Sequence, residues 1–278
     1  MKRIVFCASL AACVASAVPH PATAQTDAPS GMAPTLSPLQ HTPIHDGLSS
    51  PVGMAYDAGG NLYVANWSAD TVLRFGPDGR RSVFARDLRG PSGLAISPAG
   101  DIYVASYSED LVWRFTPDGE RAVFVRGLAT PAGLSFDSRG RLLIANRRTN
   151  QILAAHPDGK ITVAAEGLQT PVGAVELANG DLLVSNIAGG ISLVAGGVRA
   201  RTINSDLGSP GPGIVRAGAD AAYVVDYGGT TVSRIDRRGQ RTVIADGLSS
   251  PVGLVLAPDG SLTVATWGAN AAFRIARP

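Results

Sequence analysis

A glycine recurs every 40 residues along this chain of 278 residues. It occupies one position in six successive segments: Gly53, Gly93, Gly133, Gly173, Gly213 and Gly253. The string DGLSSPVG stands at 46–53 and again at 246–253, and the register does not slip between these two copies. A fixed period of this length indicates a repeat architecture, in which each unit buries its apolar surface against its neighbours.

Each unit contains four short segments with the residue types and turn signals of β-strands. In the first unit we predict strands a to d at 53–56, 62–65, 72–75 and 82–85. Gly60 in the a–b turn suits a positive φ, and the c–d turn reads Pro77-Asp78-Gly79. Four strands per unit are typical of propeller blades. The sequence therefore predicts an all-β, six-bladed β-propeller with four antiparallel strands per blade.

The sixth unit ends at Pro278, directly after its strand c, and a replacement for its fourth strand is found at the other end of the chain. Residues 42–45 precede Leu48 just as residues 82–85 precede Leu88. We therefore predict that the N-terminal strand completes the last blade and closes the ring, which removes two exposed sheet edges at once. The predicted propeller covers residues 41–278.

The first 40 residues have the composition of a targeting signal and a linker. Lys2 and Arg3 precede an apolar run that ends in a small-residue cleavage pattern, so residues 1–24 are predicted to be a signal peptide. Residues 25–40 are rich in Pro, Ala and Ser and are predicted to form a flexible linker. We expect a periplasmic or secreted protein without a transmembrane segment. The alternative is a lipoprotein anchored at Cys13, because residues 10–13 resemble a lipobox.

Charge and cysteine content exclude several function classes. Lys2 and Arg3 belong to the 24 basic residues, so the chain after cleavage carries 22 basic and 22 acidic residues. This balance does not favour binding of nucleic acid or of an anionic membrane. Both cysteines, Cys7 and Cys13, lie in the predicted signal, so no disulfide framework is expected. We expect a monomer.

The segment PVGMAYDAGGNLYVANWSADTVLRF at 51–75 resembles the NHL repeat, in which a P-x-G-I-A-like strand leads to a G-N-L-Y-V-A-D-like strand. The resemblance covers residues 41–278 and implies a six-bladed propeller. Families that share this plan include gluconolactonase-like hydrolases, streptogramin B lyases, peptidyl-amidating lyases and non-enzymatic binding proteins. The resemblance therefore implies the fold and leaves the function open.

The enzyme families that this chain resembles place functional residues where it has other side chains. The gluconolactonase-like enzymes carry metal-binding Asn and Asp just before the strand-a glycine, because a divalent cation needs converging oxygen ligands. This position reads Val52, Ser92, Ala132, Val172, Pro212 and Val252. Only Ser92 offers a side-chain oxygen, so no metal ligand and no cofactor is predicted. A Ca²⁺ ion in the channel is an alternative that these residues do not support.

The streptogramin lyases use a histidine with acidic partners near the channel. Three histidines follow the predicted linker: His41, His45 and His156. The repeat register places His41 and His45 on an outer strand and His156 beside a c–d turn, so none is expected to face the axis. A histidine acid–base mechanism therefore lacks its central residue.

The residue that follows strand b is polar in all six units. The series reads Asn66, Ser106, Asn146, Asn186, Asp226 and Thr266. These side chains either cap the following turn through its backbone amides or form a polar ring at the channel mouth. On the second interpretation, Asn66, Asn146 and Asn186 bind a ligand. No catalytic residue is assigned, and the candidates to test are Asp226, which is the one charge in the series, and Glu176.

The next position in each unit predicts an aromatic surface. It reads Trp67, Tyr107, Arg147, Ile187, Tyr227 and Trp267. Blades five, six, one and two are consecutive in a closed ring, so their four aromatic side chains form a continuous crescent, with Arg147 and Arg148 facing it. The rings either cover the seams between blades or line a concave site for a sugar, an aromatic small molecule or a peptide. On the second interpretation Trp67, Tyr107, Arg147, Tyr227 and Trp267 bind the ligand.

Two charged residues interrupt the apolar series in strand a. Glu176 and Arg216 occupy equivalent positions in adjacent blades, where the other units carry Tyr56, Ile96, Phe136 and Leu256. We predict a salt bridge between these two blades. Taken together, the sequence favours an exported propeller scaffold that binds a small molecule or a protein partner on its loop face. The alternative is a lactone hydrolase or a lyase.

Overall fold

The computed structural model describes residues 38–278, which form six four-stranded antiparallel sheets. Each sheet is one blade of a ring, so the prediction of an all-β, six-bladed propeller is confirmed. The helices among these residues are two single turns of 3-10 helix, Trp67–Ala69 and Arg147–Thr149, and no helix in this part of the chain could cross a membrane. The predicted signal peptide, the lipobox with Cys13 and most of the predicted linker lie outside the described residues.

The strands follow the 40-residue register closely. Blade 1 contains β2 (Pro51–Tyr56), β3 (Leu62–Asn66), β4 (Thr71–Phe75) and β5 (Arg81–Ala85). Blade 2 contains β6 (Pro91–Ile96), β7 (Ile102–Ser106), β8 (Leu111–Phe115) and β9 (Arg121–Val125). Blade 3 contains β10 (Pro131–Phe136), β11 (Leu142–Asn146), β12 (Gln151–Ala155) and β13 (Ile161–Ala165). Blade 4 contains β14 (Pro171–Glu176), β15 (Leu182–Asn186), β16 (Gly190–Val194) and β17 (Ala200–Asn204). Blade 5 contains β18 (Pro210–Arg216), β19 (Ala221–Asp226), β20 (Val232–Asp236) and β21 (Arg241–Ala245).

Blade 6 combines strands from both ends of the described chain. Three of its strands are β22 (Pro251–Leu256), β23 (Leu262–Thr266) and β24 (Ala271–Ile275), and the fourth is β1 (His41–His45). The strand β1 pairs antiparallel with β24, with Pro43 opposite Phe273 at the outer edge. The predicted closure of the ring by the N-terminal strand is therefore confirmed.

The chain makes a further contact just before β1. The N–H group of Leu39 donates a hydrogen bond of 2.7 Å to the carbonyl oxygen of Ile244, and Leu39 forms a parallel bridge with Ala245 at the end of blade 5. Its side chain packs against apolar residues between blades 5 and 6. The segment 39–45 therefore crosses the seam between these two blades. The contact at Leu39 falls within the segment 25–40, ahead of the predicted start of the propeller.

The hydrophobic core is divided into six layers, one between each pair of neighbouring blades. In the layer between blades 1 and 2, Val72 and Leu88 pack against Val104 and Phe115. The layer between blades 6 and 1 joins Leu73 to Ala272, which closes the series. Because each blade buries its faces only against its two neighbours, no blade can shield its own core, and the ring is the arrangement that covers every face.

The recurring glycine of strand a is required by space rather than by φ. None of the six glycines has a positive φ. A Cβ atom on any of them would lie closer than 3.0 Å to a backbone atom of the next blade. Gly133, for example, faces the carbonyl oxygen of Val172, and Gly253 in the last blade faces that of Val52 in the first. The innermost strands therefore meet backbone to backbone around the channel, and any side chain at this position would separate two blades.

Candidate functional site

The b–c loops and the loops that enter strand a lie on one face of the ring, which we call the loop face. In most blades the first residue of the b–c loop donates its N–H group to the loop that enters strand a. The N–H group of Trp67 bonds to the carbonyl of Ser50 at 3.2 Å, and that of Trp267 to the carbonyl of Ser250 at 3.0 Å. The N–H group of Arg147 makes the equivalent bond. In these blades the bond fixes the start of the b–c loop, and with it the side chain of its first residue.

Two residues from each blade surround a cavity of about 330 Å³ at the loop face of the channel. We call it the loop-face pocket. Its wall consists of the first residues of the six b–c loops: Trp67, Tyr107, Arg147, Ile187, Tyr227 and Trp267. Its floor consists of the six residues that precede the strand-a glycines: Val52, Ser92, Ala132, Val172, Pro212 and Val252. The five wall residues predicted to bind a ligand are thus brought together around one space.

The four aromatic wall residues form two ring pairs, and each pair spans a seam between neighbouring blades. The rings of Trp67 and Tyr107 meet edge to face with centroids 4.7 Å apart, and those of Tyr227 and Trp267 meet at 5.4 Å. The Nε1 group of Trp267 donates a hydrogen bond of 3.0 Å to the carbonyl of Pro51 in blade 1. Each ring is half-buried. The same side chains therefore cover seams and line the pocket, so the two interpretations of this position are compatible.

Among residues 38–278, Arg147 is the one charged residue that lines the pocket. Its Nη1 group donates a hydrogen bond of 3.0 Å to the hydroxyl of Tyr107 in the neighbouring blade. The salt bridges within residues 38–278 do not include Arg147. Arg148 is exposed and does not line the pocket. The loop-face pocket therefore combines an aromatic and aliphatic lining with one positive charge.

Asn66, Asn146 and Asn186 do not line the pocket. They are buried, with side-chain oxygens that accept backbone N–H groups of the loop entering strand a, at 3.3, 2.7 and 3.2 Å respectively. Their side chains point into the blades and not into the pocket, so the geometry does not support a role in ligand binding, which stays a prediction. The capping interpretation holds with one change: the side chain caps the preceding loop rather than the following turn.

The two candidate catalytic carboxylates are both engaged with backbone groups. Asp226 is buried and accepts the N–H groups of Gly208 and Ser209 at 3.0 and 2.8 Å. Glu176 accepts the N–H group of Ser138 at 2.6 Å in the a–b turn of blade 3. Neither carboxylate lines the loop-face pocket.

The predicted salt bridge between Glu176 and Arg216 is wrong, since the ion pairs found within residues 38–278 do not join them. The side chain of Glu176 points towards blade 3, where its carboxylate accepts a backbone N–H group. Arg216 lies on the other side, in blade 5, where it lines a second cavity of about 250 Å³ at the opposite end of the channel. Glu176 of blade 4 thus bonds to blade 3, whereas Arg216 of blade 5 faces the channel.

The three histidines of the described chain, His41, His45 and His156, lie away from the channel, as the repeat register predicts. The ring of His45 stacks on Phe75 of blade 1 with centroids 3.9 Å apart. Burial, and secondly the positive charge of Arg81, lower the pKa of His45 below its ordinary value, while Asp46 opposes the shift. His156 lies beside Thr162 on the outer part of blade 3. None of these side chains reaches the loop-face pocket.

The floor of the pocket does not fit the divalent cation that gluconolactonase-like enzymes would hold there. Its one side-chain oxygen belongs to Ser92, whose hydroxyl donates a hydrogen bond of 2.8 Å to the carbonyl of Pro131. The other five floor residues have no side-chain oxygen or nitrogen. Within residues 38–278 no group of three or more His, Cys, Asp or Glu side chains could hold a metal ion. Calcium requires six to eight oxygen ligands, so these residues do not form its site.

A further set of polar residues joins neighbouring blades on the loop face and was not predicted from the sequence. An Oδ1 atom near the end of the b–c loop accepts the N–H group of the residue before strand a in the next blade. The donor–acceptor pairs are Gly90–Asp70, Thr130–Asp110, Thr170–Asn150 and Ser50–Asn270. The signal in the sequence is an Asp or Asn at the repeat spacing. Blades 4 and 5 carry Gly190 and Thr230 at this position and lack the bond.

Comparison with known proteins identifies relatives in fold. No protein-family model and no curated protein matches the chain. Among solved structures, a gluconolactonase from Xanthomonas campestris aligns with a TM-score of 0.76 and 17% identity over 86% of this chain and 90% of the other. An inactive virginiamycin B lyase from Staphylococcus aureus with quinupristin gives 0.66 and 16% over 82% and 81%. A streptogramin B lyase gives 0.65 and 16% over 85% and 97%. At these identities the chain shares with them the six-bladed propeller fold.

Proposed function

We propose that this chain is an exported propeller of the NHL-repeat type that binds a small molecule in the loop-face pocket. One observation carries the proposal: all six blades contribute equivalent wall and floor residues to a single cavity of about 330 Å³. Small-molecule sites are concave, mostly apolar and about 300–1,000 Å³ in volume. A concave cavity of this size favours a small molecule over a protein partner, which generally requires a broader surface. The features of residues 1–24 support export.

The alternative is an enzyme, because the structural relatives include a gluconolactonase and a streptogramin B lyase. The residues around the pocket favour binding instead. In the described part of the chain no Asp, Glu or His lines it, and the carboxylates of Asp226 and Glu176 are held by backbone N–H groups elsewhere. Asp, Glu and His are common acid–base residues, and each acts only within hydrogen-bond reach of the reacting atoms.

The proposal is tested by removing the two tryptophans of the crescent. The neutral probe 2-naphthalenemethanol should bind the wild-type chain with one site by isothermal titration calorimetry. Trp67→Ala with Trp267→Ala should weaken this binding by about ten-fold or more, because each ring supplies a large apolar contact. The matched control is Trp113→Ala, since Trp113 lies outside the pocket and packs beneath the guanidinium of Arg121.

Thermal unfolding of each variant separates loss of binding from loss of folding. If the double variant is unstable, Trp67→Leu keeps an apolar cover over the seam and serves in its place. Equal affinity of the wild type and the folded variants would overturn the proposal. Calcium-dependent hydrolysis of gluconolactone by the purified chain would instead favour the enzyme alternative.

A further inference from the structure

We propose that the ligand of the loop-face pocket is an organic anion with a flat apolar ring system, whose acid group binds Arg147. This inference rests on the proposed function and adds the ligand class to it. It follows from three features: the charge of the pocket, the hydrogen bonding of Arg147, and the position of Arg147 relative to the aromatic crescent.

The charge of the pocket is positive and uncompensated. Arg147 is the one ionised side chain among the twelve that line the cavity. Some arginines of the described chain pair with carboxylates, as Arg141 does with Asp137 and Arg114 does with Asp101. No such partner is found for Arg147 among residues 38–278. A half-buried positive charge without a counter-ion favours an anionic ligand and disfavours a cationic one.

The hydrogen bonding of Arg147 leaves most of its donors available. A guanidinium group has five N–H donors, and within the described chain the side chain of Arg147 uses one, on the hydroxyl of Tyr107. That bond is to a neutral acceptor, so it orients the group without neutralising it. The backbone N–H group of Arg147 is held by the carbonyl of Thr130. The remaining donors have the planar arrangement that binds a carboxylate through two parallel hydrogen bonds.

The position of Arg147 in the ring indicates which ligand shape fits the pocket. Arg147 belongs to blade 3, which lies opposite blade 6 and its Trp267 in a six-bladed ring. An acid group at Arg147 therefore directs the rest of the ligand across an apolar floor towards the aromatic crescent. The floor offers no free polar side chain, because the hydroxyl of Ser92 bonds to Pro131. A flat apolar ring fits this surface better than a sugar, whose hydroxyl groups each need a partner.

The experiment compares three probes that share one ring system and differ in charge: 2-naphthoate, 2-naphthalenemethanol and 2-naphthylmethylamine. Calorimetry near neutral pH should give the wild-type chain about ten-fold higher affinity for the acid than for the alcohol, and the lowest affinity for the amine. Arg147→Gln should lower the affinity for 2-naphthoate by about ten-fold or more and change that for the alcohol by less than about two-fold. Arg148→Gln is the matched control and should change neither affinity.

The outcomes distinguish this inference from the proposed function. Equal affinity for the acid and the alcohol would contradict the proposal of an anionic ligand. If both affinities are also lost in the variant with Trp67→Ala and Trp267→Ala, the proposal of a binding site in the loop-face pocket still holds. An unchanged affinity of Arg147→Gln for 2-naphthoate would also contradict the proposal of an anionic ligand. Failure of all three probes to bind the wild type would overturn both proposals. If Arg147→Gln does not fold, Arg147→Lys tests whether the positive charge causes the preference for the acid. This variant keeps the charge and should retain part of that preference.

Discussion

The Oδ1 atom of Asn270 in the sixth blade accepts a hydrogen bond of 3.0 Å from the backbone N–H group of Ser50 in the first blade. The same relationship joins Asp70 to blade 2, Asp110 to blade 3 and Asn150 to blade 4. The donor residue has a positive φ in every case, 48° at Ser50. At Ser50, Thr130 and Thr170 the bond thus stabilises an unfavourable backbone conformation while it joins two blades.

Removal of the Asn270 side chain should weaken the closure of the ring. Asn270 itself has a φ of 48°, so Asn270→Gly removes the acceptor without adding backbone strain. We expect the free energy of unfolding to fall by about 1 kcal/mol, measured by chemical denaturation. Asn270→Asp keeps the acceptor, as Asp70 and Asp110 do, and should lie within about 0.5 kcal/mol of the wild type. Equal loss in both variants would show that the bond is not the cause.

Replacement of a strand-a glycine should be far more damaging than replacement of a turn glycine. A Cβ atom on Gly133 would collide with the backbone at Val172, which no rotamer change can relieve. We expect Gly133→Ala to lower the free energy of unfolding by at least about 2 kcal/mol. Gly197 has no positive φ and no atom within 4 Å of its Cβ position, so Gly197→Ala should change stability by less than about 0.5 kcal/mol. A tolerated Gly133→Ala would contradict backbone contact at the axis.

Deletion of the N-terminal strand should open the sixth blade. A chain that begins at Gly47 lacks β1 and the contact of Leu39 with blade 5. We expect its free energy of unfolding to fall by about 3 kcal/mol or more relative to a chain that begins at Pro38, because several backbone hydrogen bonds are lost. The exposed edge of β24 should also promote association, measured by light scattering. A synthetic peptide of residues 38–46 should restore stability, and an equally stable monomer without it would contradict the role of β1.

The stability of the ring should decrease in mild acid because of His45. Its pKa is lowered in the folded protein by burial and then by Arg81, from an ordinary value of 6.5. The unfolded chain therefore takes up this proton at a higher pH than the folded chain, so stability is lost as the pH falls below about 6.5. His45→Phe keeps the stacking on Phe75 and removes the titration. Its melting temperature should fall less than that of the wild type between about pH 7.5 and about pH 5.5, and an equal fall would exclude His45 as the source.

The repeat register was sufficient to predict the ring, because one residue type and one spacing determine it. Gly53 and its equivalents are the places where backbones of neighbouring blades touch, so their period counts the blades directly. The same register predicted that Trp67 and Trp267 share one surface, since equivalent positions in a closed ring lie on the same face. The cavity between these side chains follows from that placement together with the small size of the floor residues.

The direction of individual polar side chains could not be read from the repeat. Asn66 and Trp67 are consecutive, so one points into the blade while the other points over the channel, and composition alone does not say which. Glu176 had a charged candidate partner in one neighbouring blade and a free backbone N–H group in the other. Glu176 bonds to Ser138 because the folded backbone brings the N–H group of Ser138 within reach of its carboxylate. Residue type fixes what a side chain can bond to, whereas the local backbone decides which group it reaches.

The pairing of β1 with β24 has a consequence for the order of events during biosynthesis. The first strand of the propeller to leave the ribosome has no partner until the last one, ending at Ile275, has followed it. Contacts between such distant segments are slow to form, because the intervening chain must be ordered first. Earlier blades can stack into an arc, yet that arc stays open while synthesis continues. The ring of a chain with this topology therefore closes only after its final strand has been made.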